Sequence, residues 1–316
     1  MISVIIITKN RINLLKRAIK SVLLQTYKNI EIIVVDDNST DGTEKYLINL
    51  IKQYDFIKYH KIPSNKSTGS NHARNVGIKL SNGEFIAFLD DDDEWMNNKL
   101  EILYNAFKTS KNTNLGMVYS STLKINTFFN NKLILKKILK HNIIVNLDQK
   151  NKILYDNFIG GTSNPLIKKD ILIKCGCFDE LLCMMQDFEL WIRICQISDT
   201  LYIDMPLTKY YSENNSRKQI TNNISKFIEA RNYINKKHSS LFNKLDKEKL
   251  KMLNNNDYKL ICQRSLLLND KKNYRKYITK QKNNIKNIFK YILSYININS
   301  ILKLTIIKTI FKARNI

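Results

Sequence analysis

The run Ser3-Val4-Ile5-Ile6-Ile7 constrains this chain most, because it is apolar at nearly every position and dominated by β-branched residues. A strand with one wet face alternates apolar and polar side chains. An unbroken apolar run reads instead as a strand covered on both faces, which points to a parallel sheet between layers of helix. The pattern recurs at Ile30 to Val35 and Phe85 to Leu89, with a shorter version at Ile57 to Tyr59. Between these runs the apolar residues fall at helical spacing: Leu14, Leu15, Ala18, Ile19, Val22 and Leu23, then Thr43 to Tyr54, then Ala73 to Leu80. This βαβαβ series predicts an α/β fold with a mostly parallel central sheet, helices on both faces and a site at the carboxyl edges of the strands.

Further along, a helix is expected from Asn97 to Phe107, a strand from Met117 to Ser121, strand-then-helix from Ile167 to Ile173 and a helix from Phe188 to Ile197. Residues 122–158 are weakly patterned and read as a variable, partly β insertion. Beyond Gln219 nearly everything looks helical, and no Gly or Pro follows Pro206. Charge changes at the same place. The formal net charge is +24, yet residues 217–316 hold 24 Lys and Arg against 5 Asp and Glu, so the basic character belongs to the tail. Two domains follow, residues 1–216 and a basic, mainly helical region at residues 217–316. Five cysteines with no zinc spacing argue against a disulfide framework and for a reducing cytoplasm. No basic leader precedes the first apolar run, so no signal peptide is expected.

Two acidic clusters sit at the expected strand ends: Asp36-Asp37 after Val35, and Asp90-Asp91-Asp92-Asp93 after Leu89. Four consecutive carboxylates repel one another, and a hard divalent cation that also takes phosphate oxygens relieves that repulsion. The plainer alternative is a solvated acidic turn capping the helix near Asn97. Asp37 to Gly42 likewise reads either as a turn with a helix cap or as a contact to a nucleobase or ribose. Asp187 precedes Phe188, Leu190, Trp191 and Ile194 at helical spacing, which by itself suits a helix N-cap.

Taken together, these segments resemble the bacterial inverting glycosyltransferases of family 2, whose catalytic domain has the GT-A fold. The matching residues are Ser3 to Arg11, Ser21 to Tyr27, Glu31 to Asp41, Ala73-Arg74-Asn75-Val76-Gly77, Gly83 to Asp93, Gly176 to Glu180 and Gln186 to Arg193, in order over about residues 2–215. The resemblance implies a nucleotide-sugar donor, with Thr8 and Asp37 lining the nucleotide pocket and Asn10, Arg11, Arg74, Asn75, Asp90 and Asp91 near the donor. It implies Mn²⁺ or Mg²⁺ on an Asp-x-Asp motif, with Asp92 the direct ligand and Asp90 beside it. Asp187 matches the acceptor-activating carboxylate.

Some positions depart from the family pattern. The usual Pro and Tyr of the first motif are Ile7 and Lys9, the acidic neighbour of Asp187 is Gln186, and the Arg and His expected near Tyr210 to Ser216 are absent, which leaves Arg217 or Lys218 to meet the diphosphate. The Gln-x-x-Arg-Trp signature of processive synthases is missing, so one sugar per event is expected.

Residues 285–313 set Ile, Leu and Phe beside lysines, and their longest uncharged run, Tyr291 to Leu302, is 12 residues, short of the roughly 20 that span a bilayer. That stretch suits a helix lying on an anionic membrane surface, which would serve a lipid-linked saccharide acceptor at the cytoplasmic leaflet. The alternative is a helix packed on protein, in this chain or in an oligomer. Two other function classes fit the sequence less well. A nucleotidyltransferase would want a Gly-rich phosphate loop, and residues 8–16 hold no Gly. A nucleic-acid-binding protein would leave the Asp90 to Asp93 cluster repelling phosphate, so no nucleic acid is expected.

Overall fold

The computed structural model describes residues 1–66, 69–128, 133–140, 148–213 and 223–281. The chain divides into two compact units, Met1–Ile153 with Asn157–Asn215, and Leu154–Asp156 with Ser216–Ile316.

In the first unit β1 (Ile2–Thr8), β2 (Ile30–Asp36), β3 (Ile57–Lys61) and β4 (Phe85–Asp90) pair in parallel in the order β3-β2-β1-β4. The crossovers are α1 (Ile12–Leu23), α2 (Thr43–Ile51) and α3 (Ser70–Leu80). Ile2, Val4 and Ile6 of β1 enter one core with Leu15, Ala18, Ile19 and Val22 of α1, Leu47 of α2, and Leu100 and Leu103 of α4 (Lys99–Thr109). The alternate residues Ser3 and Ile5 face the other way. There α3 comes so close that a Cβ on Gly77 would lie 2.4 Å from Ile5 Cγ2. The unbroken apolar run is therefore covered on both faces, and each fully buried aliphatic side chain contributes about 1.5–3 kcal/mol.

The sheet then continues from β4 to β8 (Leu166–Lys168), β6 (Leu115–Phe128), β9 (Asp199–Glu213) and β5 (Glu94–Trp95), with β7 (Leu133–Leu139) beside β6. β8 runs antiparallel to β4 and to β6, β7 is antiparallel to β6, and β5 is antiparallel to β9. β6 and β9 are parallel, with register shifts between Leu115 and Met117 and on either side of Ser121. A parallel half is thus joined to a mixed one. The stretch expected to be partly β holds the end of β6, β7 and α5 (Gln149–Tyr155). β9 was not anticipated: its residues do not alternate, and Pro206 lies opposite Ser121 at the irregular point of the ladder.

The second unit is helical over its described residues, α8 (Ile224–Lys237), α9 (Ser239–Phe242), α10 (Lys247–Leu267) and α11 (Lys271–Ile278), as the tail's composition led us to expect. The side chains of Asn223, Asp246 and Asp270 accept the N–H of Lys226, Lys249 and Asn273, capping α8, α10 and α11. Residues 285–313, with Arg217 and Lys218, lie outside the described residues. Among those described, no helix is long and apolar enough to cross a membrane. All five cysteines are free thiols.

Candidate active site

Parallel register brings the strand ends together. Thr8 lies beside Asp36, and Ile7 beside Asp90, so the tips of β1, β2 and β4 share one edge of the sheet. The Thr8 hydroxyl donates to Asp91 Oδ2 at 2.8 Å, and its carbonyl accepts the Asp37 N–H at 2.9 Å. Lys9 pairs with Asp37 Oδ2 at 3.0 Å, while Asp37 Oδ1 is buried without a partner. An orphaned carboxylate oxygen beside the strand tip is ready to accept a ligand N–H or O–H.

Asn10 takes a left-handed conformation, φ 54°, at the end of β1. Its Oδ1 accepts from the Thr40 N–H at 2.7 Å and its own N–H donates to Ser39 Oγ at 2.8 Å, so it shapes the turn after β2. Asp41 does the capping that the turn's composition suggested. Its Oδ1 accepts the Thr43 N–H at 3.2 Å as well as the Thr43 hydroxyl at 2.6 Å, and its Oδ2 accepts the Ile12 N–H at 3.0 Å, so it serves the first turns of both α2 and α1.

The second cluster is more strained electrostatically. Arg11 bridges Asp91 at 3.0 Å and Asp92 at 3.2 Å. Arg74, only 4% exposed, holds Asp90 Oδ1 at 2.7 Å, while Thr162 donates to Asp90 Oδ2 at 2.8 Å. Burial raises the Asp91 carboxyl to about 6 against the pull of Arg11. Desolvation, then the charge of Asp90, raises Asp92. Asp93, buried with an unpartnered Oδ1, is raised well above the carboxylate range by the same desolvation and by Asp90 and Asp92. The capping alternative finds no support, since Asn98 precedes α4 and it is Gln25 Oε1, not a carboxylate of this cluster, that accepts the first-turn N–H of Leu100 at 3.0 Å.

Among the described residues no group of three or more His, Cys, Asp or Glu side chains closes on a metal-sized point. The donor set still fits a hard divalent cation. Asp92 is 43% exposed and its ionisation is opposed by Asp90, so a cation lowers that cost and keeps room for water and phosphate oxygens.

Asp187 opens α7 (Gln186–Ile197), the helix that follows α6 (Lys169–Lys174), and its Oδ1 accepts the N–H of Phe188 at 2.7 Å. The preceding Met185 adopts φ 61°, which costs a bulky residue about 1–2 kcal/mol. Desolvation pushes the partly buried Asp187 up to about 6; the charge of Arg74 lowers it and that of Asp90 raises it. Asp187 therefore shares an electrostatic environment with the strand-tip cluster. Asn75, in contrast, turns both of its amide atoms to the backbone of Phe178.

Several residues here escaped the sequence reading. Ser163 Oγ accepts the Asp90 N–H at 3.0 Å, beside the Thr162 contact. Their loop is fixed by Trp95 Nε1 on the Ser163 carbonyl at 2.8 Å, Trp191 Nε1 on the Gly160 carbonyl at 2.9 Å, and buried Lys99 on the Asn164 carbonyl at 2.5 Å. Burial lowers Lys99 to about 7. Arg17 donates to the Asp92 carbonyl at 2.5 Å and stacks on the Tyr211 ring at 3.9 Å. The available signal was Gly160-Gly161 followed by Thr162-Ser163-Asn164, a turn ending in hydroxyls just before a buried strand.

The model of the family described as glycosyl transferase family 2 matches residues 3–176, which includes every strand tip described above. The chain belongs to glycosyl transferase family 2. A relative of this family 2 chain is the Campylobacter jejuni GalNAc(5)-diNAcBac-PP-undecaprenol beta-1,3-glucosyltransferase, 47% identical over 102 residues, 32% of this chain and 33% of that one. The Escherichia coli UDP-Glc:alpha-D-GlcNAc-diphosphoundecaprenol beta-1,3-glucosyltransferase WfaP is 40% identical over 111 residues, 35% of this chain and 43% of that one. The family 2 chain thus spans less than half the length of either enzyme. In fold it is similar to S. aureus TarS 1-349 in complex with UDP-GlcNAc, with TM-score 0.55, 15% identity and coverage of 90% and 93% of the two chains. It is also similar to the Pyrobaculum calidifontis mannosyltransferase PcManGT in complex with GDP-Man and Mn²⁺, with TM-score 0.55, 17% identity and coverage of 85% and 74%. The GT-A fold expected from sequence is the fold observed.

Proposed function

We propose that this family 2 chain is a hexosyltransferase that moves one sugar from a UDP-sugar to a saccharide acceptor carried on a lipid diphosphate, with inversion at the anomeric carbon. The observation that carries the reading is the meeting of Thr8, Asp36 and Asp90 at one edge of the sheet, with Asp90 held by Arg74; beside it Asp187, a partly buried carboxylate at the start of α7, is raised to about 6 by burial. A cluster suited to a diphosphate and a second carboxylate suited to take a proton near neutrality are the two parts a single displacement needs. Relatives named for undecaprenol-diphosphate acceptors and a UDP-glucose donor support the substrate classes. Such an acceptor would place the protein at the cytoplasmic face of the membrane, in assembly of capsule, lipooligosaccharide or a glycoprotein glycan.

In this mechanism Asp37 Oδ1 accepts a hydrogen bond from the nucleobase or ribose, and Thr8 and Arg11 fix Asp91 beneath the diphosphate. Asp92 and Asp90 would hold Mn²⁺ or Mg²⁺. Such an ion, when bound, neutralises charge on the departing nucleoside diphosphate. Asp187 takes the acceptor hydroxyl's proton as that oxygen forms its bond to the anomeric carbon, while the bond to the diphosphate oxygen breaks on the opposite face. The Phe188 N–H orients the carboxylate for this step.

The test is a panel of UDP- and GDP-sugars offered with Mn²⁺ and an undecaprenyl-diphosphate-linked saccharide. One UDP-sugar should release UDP and add one hexose to the lipid. In a parallel reaction that offers UTP and a sugar 1-phosphate instead, release of pyrophosphate would favour a nucleotidyltransferase. Inertness toward every donor, or a ladder of added sugars, would refute the reading.

A further inference from the structure

Helix α3 carries Asn71, Arg74 and Asn75, spaced three and four apart and so on one face. Arg74 points to the strand-tip cluster, where it holds Asp90. The two asparagines point to the turn at residues 178–182. Asn75 Oδ1 accepts the Phe178 N–H at 2.9 Å, and its Nδ2 donates to the Phe178 carbonyl at 2.9 Å and to Glu180 Oε1 at 2.8 Å. Asn71 Nδ2 donates to the carbonyls of Asp179 and Leu182, both at 2.7 Å. His72 Nδ1 lies 3.1 Å from Glu180 Oε2. One helical turn thus grips a segment that belongs to no helix or strand. That segment runs through Met185, at φ 61°, directly into Asp187.

We propose that Asn75, assisted by Asn71, is a positioning residue for Asp187. By clamping residues 178–182 to the helix that also restrains Asp90 through Arg74, it sets the separation between the proton-accepting carboxylate and the donor cluster. The proposal rests on the reading of Asp187 as the base. It departs from the expectation that Asn75 lies against the donor, because its amide atoms are engaged by the Phe178 backbone and by Glu180. The side chain replaces a strand partner: it satisfies the N–H and C=O of one residue as a neighbouring strand would, at a point where no strand passes. Small displacements of a reacting group cost up to about 100-fold in rate, so a clamp of this kind shows in turnover before it shows in binding.

The experiment compares Asn75→Ala, Asp187→Asn and their combination in the full chain, reading transfer, UDP affinity with Mn²⁺, and amide exchange. Asn75→Ala should lower kcat by about 10- to 100-fold, leave UDP affinity within about twofold, and speed exchange across residues 178–187. In the Asp187→Asn background the same substitution should cost less than about threefold, because its effect passes through the carboxylate already removed. A parallel fall in UDP affinity would make Asn75 a donor contact and overturn the proposal. So would an equal loss of kcat in both backgrounds, or unchanged turnover. If Asp187→Asn alone retained wild-type transfer, the base reading would fall and this proposal with it, while faster exchange in Asn75→Ala would still identify the clamp. Should Asn75→Ala not fold, Asn71→Ala tests the same segment, with smaller effects in the same directions; its failure to speed exchange there would refute the clamp.

Discussion

The parallel half of the sheet and the mixed half place their site residues by different means. In β3-β2-β1-β4 the ladders are in unbroken register, so Thr8, Asp36 and Asp90 arrive at one edge because the backbones of their strands are paired. In the mixed half, β6 and β9 slip register three times, and Asp187 stands on a helix that follows an irregular turn. There the placement is made by side chains: Asn71 and Asn75 on residues 178–182, Trp191 on Gly160, and the pairing of half-buried Arg193 with buried Glu189 at 2.6 Å within α7. Backbone register is insensitive to most single substitutions. A side-chain clamp depends on each of its members.

The sharpest way to break this contrast is Asp187→Asn. Transfer should fall by about a thousandfold, within the range of a lost general base, while UDP affinity with Mn²⁺ stays within about twofold. The wild-type rate should also show an acid limb. Burial raises Asp187 to about 6, so below that pH the carboxyl is protonated and kcat drops about tenfold per unit, and above it the limb is flat. The residual activity of Asp187→Asn should lack the limb; an identical limb in that variant would remove Asp187 from the role. Next in size is Asp92→Ala, expected to weaken Mn²⁺-dependent UDP binding by about 100-fold, or about 2.7 kcal/mol. Unchanged binding would take Asp92 out of the site.

Much of the parallel half was legible because burial on both faces leaves an apolar run that a sequence displays directly, and a run such as Phe85 to Leu89 ending in Asp90 marks its own functional end. The cluster's neighbours were harder to see. Thr162 and Ser163 reach Asp90 from 72 and 73 residues away through a loop with no periodicity, and nothing in Asn75 distinguishes a ligand contact from a backbone clamp. β9 hid for a related reason. Its ladder bends at Pro206 and at the shifts flanking Ser121, which breaks the alternation by which a strand is recognised.

Two smaller effects sharpen the comparison. Thr162→Val removes the hydroxyl on Asp90 Oδ2 but leaves Arg74 in place, so transfer should fall only several-fold, about 1 kcal/mol for one hydrogen bond. A loss as large as that of Asp92→Ala would mean that the loop contacts substrate itself. The glycines give the stability counterpart. A Cβ on Gly83, just before β4 begins, would meet the Ser3 backbone nitrogen at 2.7 Å and Oγ at 2.6 Å and so push on β1, so Gly83→Ala should cost about 1–3 kcal/mol in urea melts. Gly161 has open space where its Cβ would sit, and Gly161→Ala should stay within about 0.5 kcal/mol. Equal costs at the two positions would erase the distinction between a half held by register and one held by side chains.

The central claim is that the tips of β1, β2 and β4 form a single nucleoside diphosphate site, and amide exchange with and without UDP plus Mn²⁺ tests it most directly. Protection should appear together at residues 8–11, 36–41 and 90–93, with one saturation curve. Protection confined to one of these segments, or located only in the helical second unit, would contradict the account.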